Sequence, residues 1–165
     1  MKKLFFIIAS LLISCVAMAQ DDNESILTTD IEIEGFENFW VQSRLSPNID
    51  PNVHDADFRP ARPIGGNVAF LSHVHTYTSK LFSALTAKYT EDMLARVGSS
   101  ETIVIEFAIA DDGAISIVSI TNGTLNGFNA DISRGIFDTY KKWKPATLSD
   151  VKVDSRQTLS IEISM

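Results

Sequence analysis

The feature that most constrains this chain is a change of hydrophobic period within its C-terminal half. Residues 102–110 alternate, with an isoleucine or phenylalanine at every second position, which is typical of a strand with one buried face. Residues 128–143 instead carry apolar side chains at helical spacing, and residues 158–163 alternate again. This order of strand-like and helix-like segments predicts an α+β fold.

The connections between these segments predict how the sheet is arranged. Asp111-Asp112-Gly113 supplies the positive-φ residue that a short hairpin requires, and residues 114–120 run back as a second strand. The following helix carries Ile132, Ile136, Tyr140 and Trp143 on one stripe and is expected to end at Pro145.

A helix between the second and third strands requires a crossover connection. The first strand is the most apolar and is expected at the centre. We therefore predict a three-stranded antiparallel sheet in the order 2-1-3, with helices on one face and the strand Thr158–Ile163 at an edge. Upstream, residues 66–77 and 80–97 are predicted to be helical.

Short motifs follow one another in an order that is known from one protein family. Pro63-Ile64-Gly65-Gly66 and Tyr89-Thr90-Glu91 precede the first strand, Asp112-Gly113 follows it, and Trp143-Lys144-Pro145-Ala146 follows the helix. Together they resemble the C-terminal domain of the energy-transducer TonB family, in which Thr90 would be proline. The resemblance covers residues 63–165. The long spacer and long membrane anchor of that family are not found in this sequence.

The resemblance implies a function for the last strand, since in that family it docks a short segment of an outer-membrane transporter. An edge strand offers unpaired N–H and C=O groups that accept an extended peptide. We therefore expect a non-enzymatic periplasmic protein-interaction domain of a Gram-negative cell envelope, linked to TonB-dependent transport. The expected partner-binding residues are Thr158, Leu159, Ser160, Ile161, Glu162 and Ile163. The alternative is a lipid-anchored envelope structural or assembly protein that uses the same domain.

Residues 1–19 are typical of a signal peptide. Lys2-Lys3 precede an apolar run, and Ala17-Met18-Ala19 forms a cleavage site before Gln20, which predicts a periplasmic or exported protein. The apolar run is shorter than the roughly 20 residues that cross a bilayer, which disfavours an uncleaved anchor. Leu12-Ile13-Ser14-Cys15 also fits lipoprotein processing, and lipidation at Cys15 would give an outer-membrane lipoprotein.

Residues 20–62 are predicted to be an N-terminal arm and a proline-containing linker. Residues 26–45 carry an aromatic cluster that is too apolar to remain in water, so they form either an arm packed on the domain or a docking peptide for a partner. Four of the five prolines fall within residues 46–64, which indicates a loop or extended linker there.

Charge and motif content disfavour several classes of function. The net charge of −7 opposes binding to nucleic acid or to an anionic membrane surface. Known catalytic motifs are not found, so no enzyme, cofactor or metal is expected. His73 and His75 are predicted to diverge on a helix as surface residues rather than share a metal, and Asp111-Asp112 is predicted to serve the turn.

Overall fold

The computed structural model describes residues 25–30, 40–48, 57–86, 100–121, 126–140 and 143–164. In these parts of the chain, two helices pack on one face of an antiparallel sheet, so the fold is α+β as predicted. The predicted signal peptide at residues 1–19 lies outside the described residues. Neither described helix is both long and apolar enough to cross a membrane.

Among the described residues, the main sheet has five strands rather than the predicted three. In chain order they are β1 (Ser25–Asp30), β2 (Trp40–Asn48), β5 (Ser100–Ile109), β6 (Ile115–Ile120) and β10 (Ser155–Ser164). Their spatial order is β1-β2-β10-β5-β6, and every pairing is antiparallel. The two helices are α1 (Asn67–Thr86) and α2 (Asn126–Thr139).

Two small ladders lie outside the main sheet. One joins β3 (Phe58–Arg59), β8 (Ala146–Leu148) and β9 (Val151–Val153), and the other joins β4 (Arg62–Pro63) to β7 (Trp143–Lys144). The segment predicted to be a linker is therefore partly ordered by strand pairing: β2 continues through Pro47 to Asn48, and Pro63 pairs with Trp143.

The three predicted strands are neighbours in the predicted order, because β10, β5 and β6 correspond to 3-1-2. The prediction that the last strand lies at an edge is wrong, since β2 pairs with its other side. The cause lies in residues 40–48, which alternate buried and more exposed side chains and complete the sheet as a strand.

The core lies between the sheet and the two helices. Every second side chain of β5 and β10 points toward the helices, and the buried residues at these positions are apolar except for Glu101 and Gln157. The fully or nearly fully buried apolar residues include Ile103, Ile105, Phe107 and Ile109 from β5, Leu159, Ile161 and Ile163 from β10, Phe70, Leu71 and Val74 from α1, and Ile132 and Ile136 from α2.

The predicted turn after β5 is confirmed. Gly113 has a φ of 86°, and the N–H of Gly113 donates to the carbonyl oxygen of Ala110 at 2.9 Å. A Cβ at position 113 would lie 2.6 Å from the backbone oxygen of Trp143. Glycine is therefore required both by the backbone conformation and by the close approach of β7.

The predicted helix bounds need two corrections. Helix α2 ends at Thr139, so Trp143 lies in β7 and not on the helical stripe, although it is buried in the core as predicted. Helix α1 continues from Asn67 to Thr86 across the expected break near Tyr77. The rest of the predicted helix to residue 97 lies outside the described residues.

Candidate partner-binding strand and the N-terminal strand pair that covers it

The six residues predicted to bind a partner lie in β10. Their side chains alternate as expected for a strand with one buried face. Leu159, Ile161 and Ile163 are buried beneath the helices, whereas Thr158, Ser160 and Glu162 lie on the opposite face and are partly exposed.

The main-chain edge of β10 is occupied on both sides. β5 pairs along one side from Ser155 to Ser164, and β2 pairs along the other from Arg156 to Ser164. β2 thus takes the position that an added peptide strand would occupy. We call β1 and β2 together the N-terminal strand pair. A partner that binds along β10 must take the place of this pair.

Apolar contacts and side-chain hydrogen bonds hold the N-terminal strand pair in place. Leu27, Val41 and Leu45 are buried in the core. Asn67 Nδ2 of α1 donates to Ser25 Oγ at 2.9 Å, which ties β1 to the start of the helix. Within and beside the pair, Gln42 Nε2 donates to Thr28 Oγ1 at 3.0 Å and Thr158 Oγ1 donates to Asn48 Oδ1 at 2.9 Å.

One polar contact is buried beneath β2. Ser43 Oγ lies 2.7 Å from His75 Nε2 of α1, and the two residues are 0% and 4% exposed. In the sheet Ser43 stands between Leu27 and Ile161, so its small side chain leaves room for the imidazole ring to reach the sheet. The prediction that His75 lies on the surface is therefore wrong.

Burial also changes the chemistry of this histidine. Desolvation lowers the pKa of His75 from 6.5 to about 4, because removal from water disfavours the charged ring. The ring is consequently neutral at neutral pH. A neutral imidazole and a hydroxyl can each donate or accept a hydrogen bond, so the buried pair needs no counter-ion.

His73 points away from His75 and toward α2. Its Nε2 lies 2.8 Å from Thr139 Oγ1, and its ring centroid lies 5.3 Å from that of Tyr140. Desolvation is the largest cause of a lowered pKa for His73, with the charge of Lys80 adding to it and a backbone hydrogen bond at Ile136 opposing it. Within the described residues no group of three or more His, Cys, Asp and Glu side chains could hold a metal ion.

Three of the motifs that carry the family resemblance meet at one corner of the fold. Pro63 of the first motif pairs with Trp143 of the last in the β4–β7 ladder. Tyr140 donates from its hydroxyl to the carbonyl oxygen of Ile64 at 2.6 Å, and Gly113 lies against the backbone of Trp143. These motifs therefore pack the corner of the domain and do not line β10. Tyr89-Thr90-Glu91 lies outside the described residues.

The remaining candidate residues have local roles or fall outside the described ranges. Asp112 Oδ1 accepts a hydrogen bond from the N–H of Ala114 at 2.7 Å, and Asp154 Oδ1 accepts one from the N–H of Asp111 at 2.9 Å. The Asp112 contact serves the turn, as predicted, and the Asp154 contact binds the backbone of Asp111. Cys15 is not among the described residues.

Comparison with known proteins leaves the family open. A scan against protein-family models finds no match, and searches of curated proteins and of solved structures find none either. The resemblance to the TonB family therefore rests on the motifs named above.

Sequence reasoning missed the strand β2 and the role of Ser43. The signal was present as an alternation of inward positions at Val41, Ser43 and Leu45. Two features obscured it: a serine at the middle inward position breaks the apolar pattern, and the proline at position 47 suggests a loop.

Proposed function

We propose that this protein is a non-enzymatic, exported protein-interaction domain that binds an extended peptide of an envelope protein by strand pairing along β10. The observation that carries the proposal is the antiparallel pairing of β2 with β10 over nine residue pairs. This pairing supports the capacity of β10 to accept a strand along most of its length. The resemblance to the TonB C-terminal domain supports the same strand and favours an outer-membrane transporter as the partner.

Main-chain hydrogen bonds would supply much of the affinity, and alternate side chains would supply specificity. On the side of β10 that faces the helices, an added strand meets the buried row of Leu159, Ile161 and Ile163. Apolar residues at alternate positions of the peptide would continue this row and bury further apolar area.

The two outer strands of the described sheet suit a partner less well than the position beside β10. β6 has a register shift opposite Glu106 and Phe107, where Val118 is an extra residue and is 44% exposed. Such a bulge twists an edge and interrupts its ladder. Within the described residues, β1 spans six positions, against nine in β2.

Export to the periplasm is part of the proposal and depends on residues 1–19. Lipidation at Cys15 is the alternative that would make the domain an anchored structural or assembly module. The intact mass of the protein from its native envelope separates the two: a chain beginning at Gln20 agrees with export, and an acylated Cys15 agrees with the anchored module.

A peptide panel tests the proposed function. Fluorescein-labelled synthetic peptides would cover the periplasmic segments of outer-membrane transporters encoded in the same genome, with scrambled peptides of equal composition as controls. Titration with the full chain, followed by fluorescence anisotropy, should give saturable binding of at least one segment and not of its scrambled form. The proposal is contradicted if no peptide of the panel binds either the folded parent chain or a folded Leu27→Ala chain, in which loss of a buried side chain loosens the N-terminal strand pair.

A further inference from the structure

We propose that β2 is an internal mimic of the partner strand and that His75 selects a hydroxyl-bearing residue at the middle of that strand. The inference rests on the proposed function, because it concerns what binds along β10. It adds the side-chain pattern of the partner and assigns the N-terminal strand pair as an autoinhibitory element. In the folded chain, this element competes with the partner for one position.

The pattern is read from the inward face of β2. Val41 lies opposite Ile163, Ser43 opposite Ile161 and Leu45 opposite Leu159, and the three β2 residues are buried. A peptide that replaces β2 in the same register must offer an apolar residue, then a hydroxyl residue, then an apolar residue at alternate positions.

The middle position is the selective one because it faces His75. The imidazole Nε2 is buried and lies 2.7 Å from the Ser43 hydroxyl, so a partner residue without a hydroxyl loses that hydrogen bond in a site closed to water. Loss of a buried hydrogen bond of this kind weakens binding by about tenfold or more. A large apolar residue would in addition collide with the ring, since Ser43 is small where the ring approaches the sheet.

Composition makes β2 the strand suited to exchange. Ser43, Ile161 and Ile103 are paired neighbours across β2, β10 and β5, and all three are buried. At this level of the sheet, β10 and β5 each contribute an isoleucine, whereas β2 contributes a serine. β2 therefore buries less apolar side chain against the helices than β10 and β5 do. A partner with the same pattern would bury the same kinds of side chain at the same positions.

Exchange is opposed chiefly by the covalent tether. A tethered segment acts at an effective concentration on the order of millimolar, so a free peptide competes poorly with it. We therefore expect the unmodified chain to bind a free copy of β2 weakly. Any change that loosens the strand pair should strengthen that binding.

The probe is a fluorescein-labelled synthetic peptide of residues 40–48, used with the full chain carrying Cys15→Ser. A second probe has Ala in place of Ser43, and a third has Thr there.

Three variants of the chain are compared. Leu27→Ala loosens β1, since Leu27 is buried in the core. Arg44→Cys with Ser160→Cys joins β2 to β10 by a disulfide, which locks β2 in place. These two residues lie directly opposite each other on the face of the sheet away from the helices. Ala108→Cys with Ser116→Cys is the matched control disulfide between β5 and β6.

Binding of the first probe should increase at least tenfold in Leu27→Ala, disappear in the oxidised lock and return when the lock is reduced. The control disulfide should leave binding unchanged. The Thr probe should bind like the Ser probe, and the Ala probe about tenfold more weakly. This discrimination between Ser and Ala should vanish in a Leu27→Ala chain that also carries His75→Leu.

Equal binding to the locked and reduced proteins would overturn the inference, because the peptide would then bind elsewhere. Equal binding of the Ser and Ala probes would overturn the role of His75. If Leu27→Ala fails to fold, comparison of the locked and reduced forms still decides whether the probe binds in place of β2. The proposed function fails separately, when transporter segments do not bind even to a chain that binds the 40–48 probe.

Discussion

At the residue scale, the small side chain of Ser43 allows a histidine to enter the core beneath β2. His75 is held there as a neutral ring, whereas His73, two residues earlier, contacts the other helix. The sequence predicted that the two rings diverge. The sequence does not show which ring is buried, because that depends on the pairing of β2 within the sheet.

The buried His75 should make stability fall in mild acid. Its pKa is about 4 in the folded chain and 6.5 when unfolded, so the unfolded state takes up a proton first as the pH falls. The stabilisation is complete above pH 6.5 and is lost as the pH falls toward 4, by up to about 3 kcal/mol. Urea unfolding of the parent and of His75→Gln between pH 7.5 and 4.5 measures the difference.

His73→Gln is the control for this titration and should keep most of the pH dependence, because His73 is less buried than His75. All other side chains are the same in the compared chains, so their contributions cancel in the comparison. The account of His75 is wrong if the parent and His75→Gln lose stability in parallel as the pH falls.

Trp143 should act as a core residue. It is 4% exposed, and its ring lies 5.1 Å from that of Phe70 and 5.3 Å from that of Phe107. Trp143→Ala should therefore cost about 3–5 kcal/mol in the free energy of unfolding, and Phe107→Ala should cost a similar amount. Val151→Ala, at a position that is 65% exposed, should stay within about 0.5 kcal/mol of the parent. A Trp143→Ala chain that unfolds like the parent but loses its partner would instead make Trp143 a binding anchor.

At the element scale, β10 is an interior strand with a neighbour on each side. Ser160 lies opposite Arg44 of β2 and Val104 of β5, so its backbone belongs to a continuous sheet. The sequence could predict three features: the strand alternation, the β5–β6 turn and the order of β5, β6 and β10. These follow from the period-two pattern of apolar residues and from the positive φ that glycine adopts in a turn. The position of β2 could not, since pairing between residues 40–48 and 156–164 is set by the whole fold.

Ser160→Pro should disrupt folding, because proline removes an N–H and fixes φ within an interior strand. The expected loss lies beyond the roughly 0.5–3 kcal/mol of most point substitutions. Val118→Pro is the control: this residue is the extra one at the β6 bulge, where proline is better tolerated. Circular dichroism with thermal melting compares the two chains. A Ser160→Pro chain that melts like the parent contradicts the interior position of β10.

At the scale of the whole molecule, the two ends of the described chain meet in one sheet. The N-terminal strand pair lies against the C-terminal strand, and the corner built from Pro63, Gly113 and Trp143 joins segments from three parts of the sequence. Under the proposal, a partner that takes the place of β2 would leave this corner intact. It would replace Val41, Ser43 and Leu45 in the core by its own inward side chains.

The central claim is that a partner peptide pairs with β10 in place of β2. Hydrogen–deuterium exchange of the full chain, with and without a saturating transporter segment from the peptide panel, measures it most directly. Amides of residues 40–48 should lose protection when the peptide binds, while those of residues 155–164 stay protected. Unchanged protection of residues 40–48, with new protection along residues 115–120 or 25–30, would place the partner at an outer strand and contradict the claim.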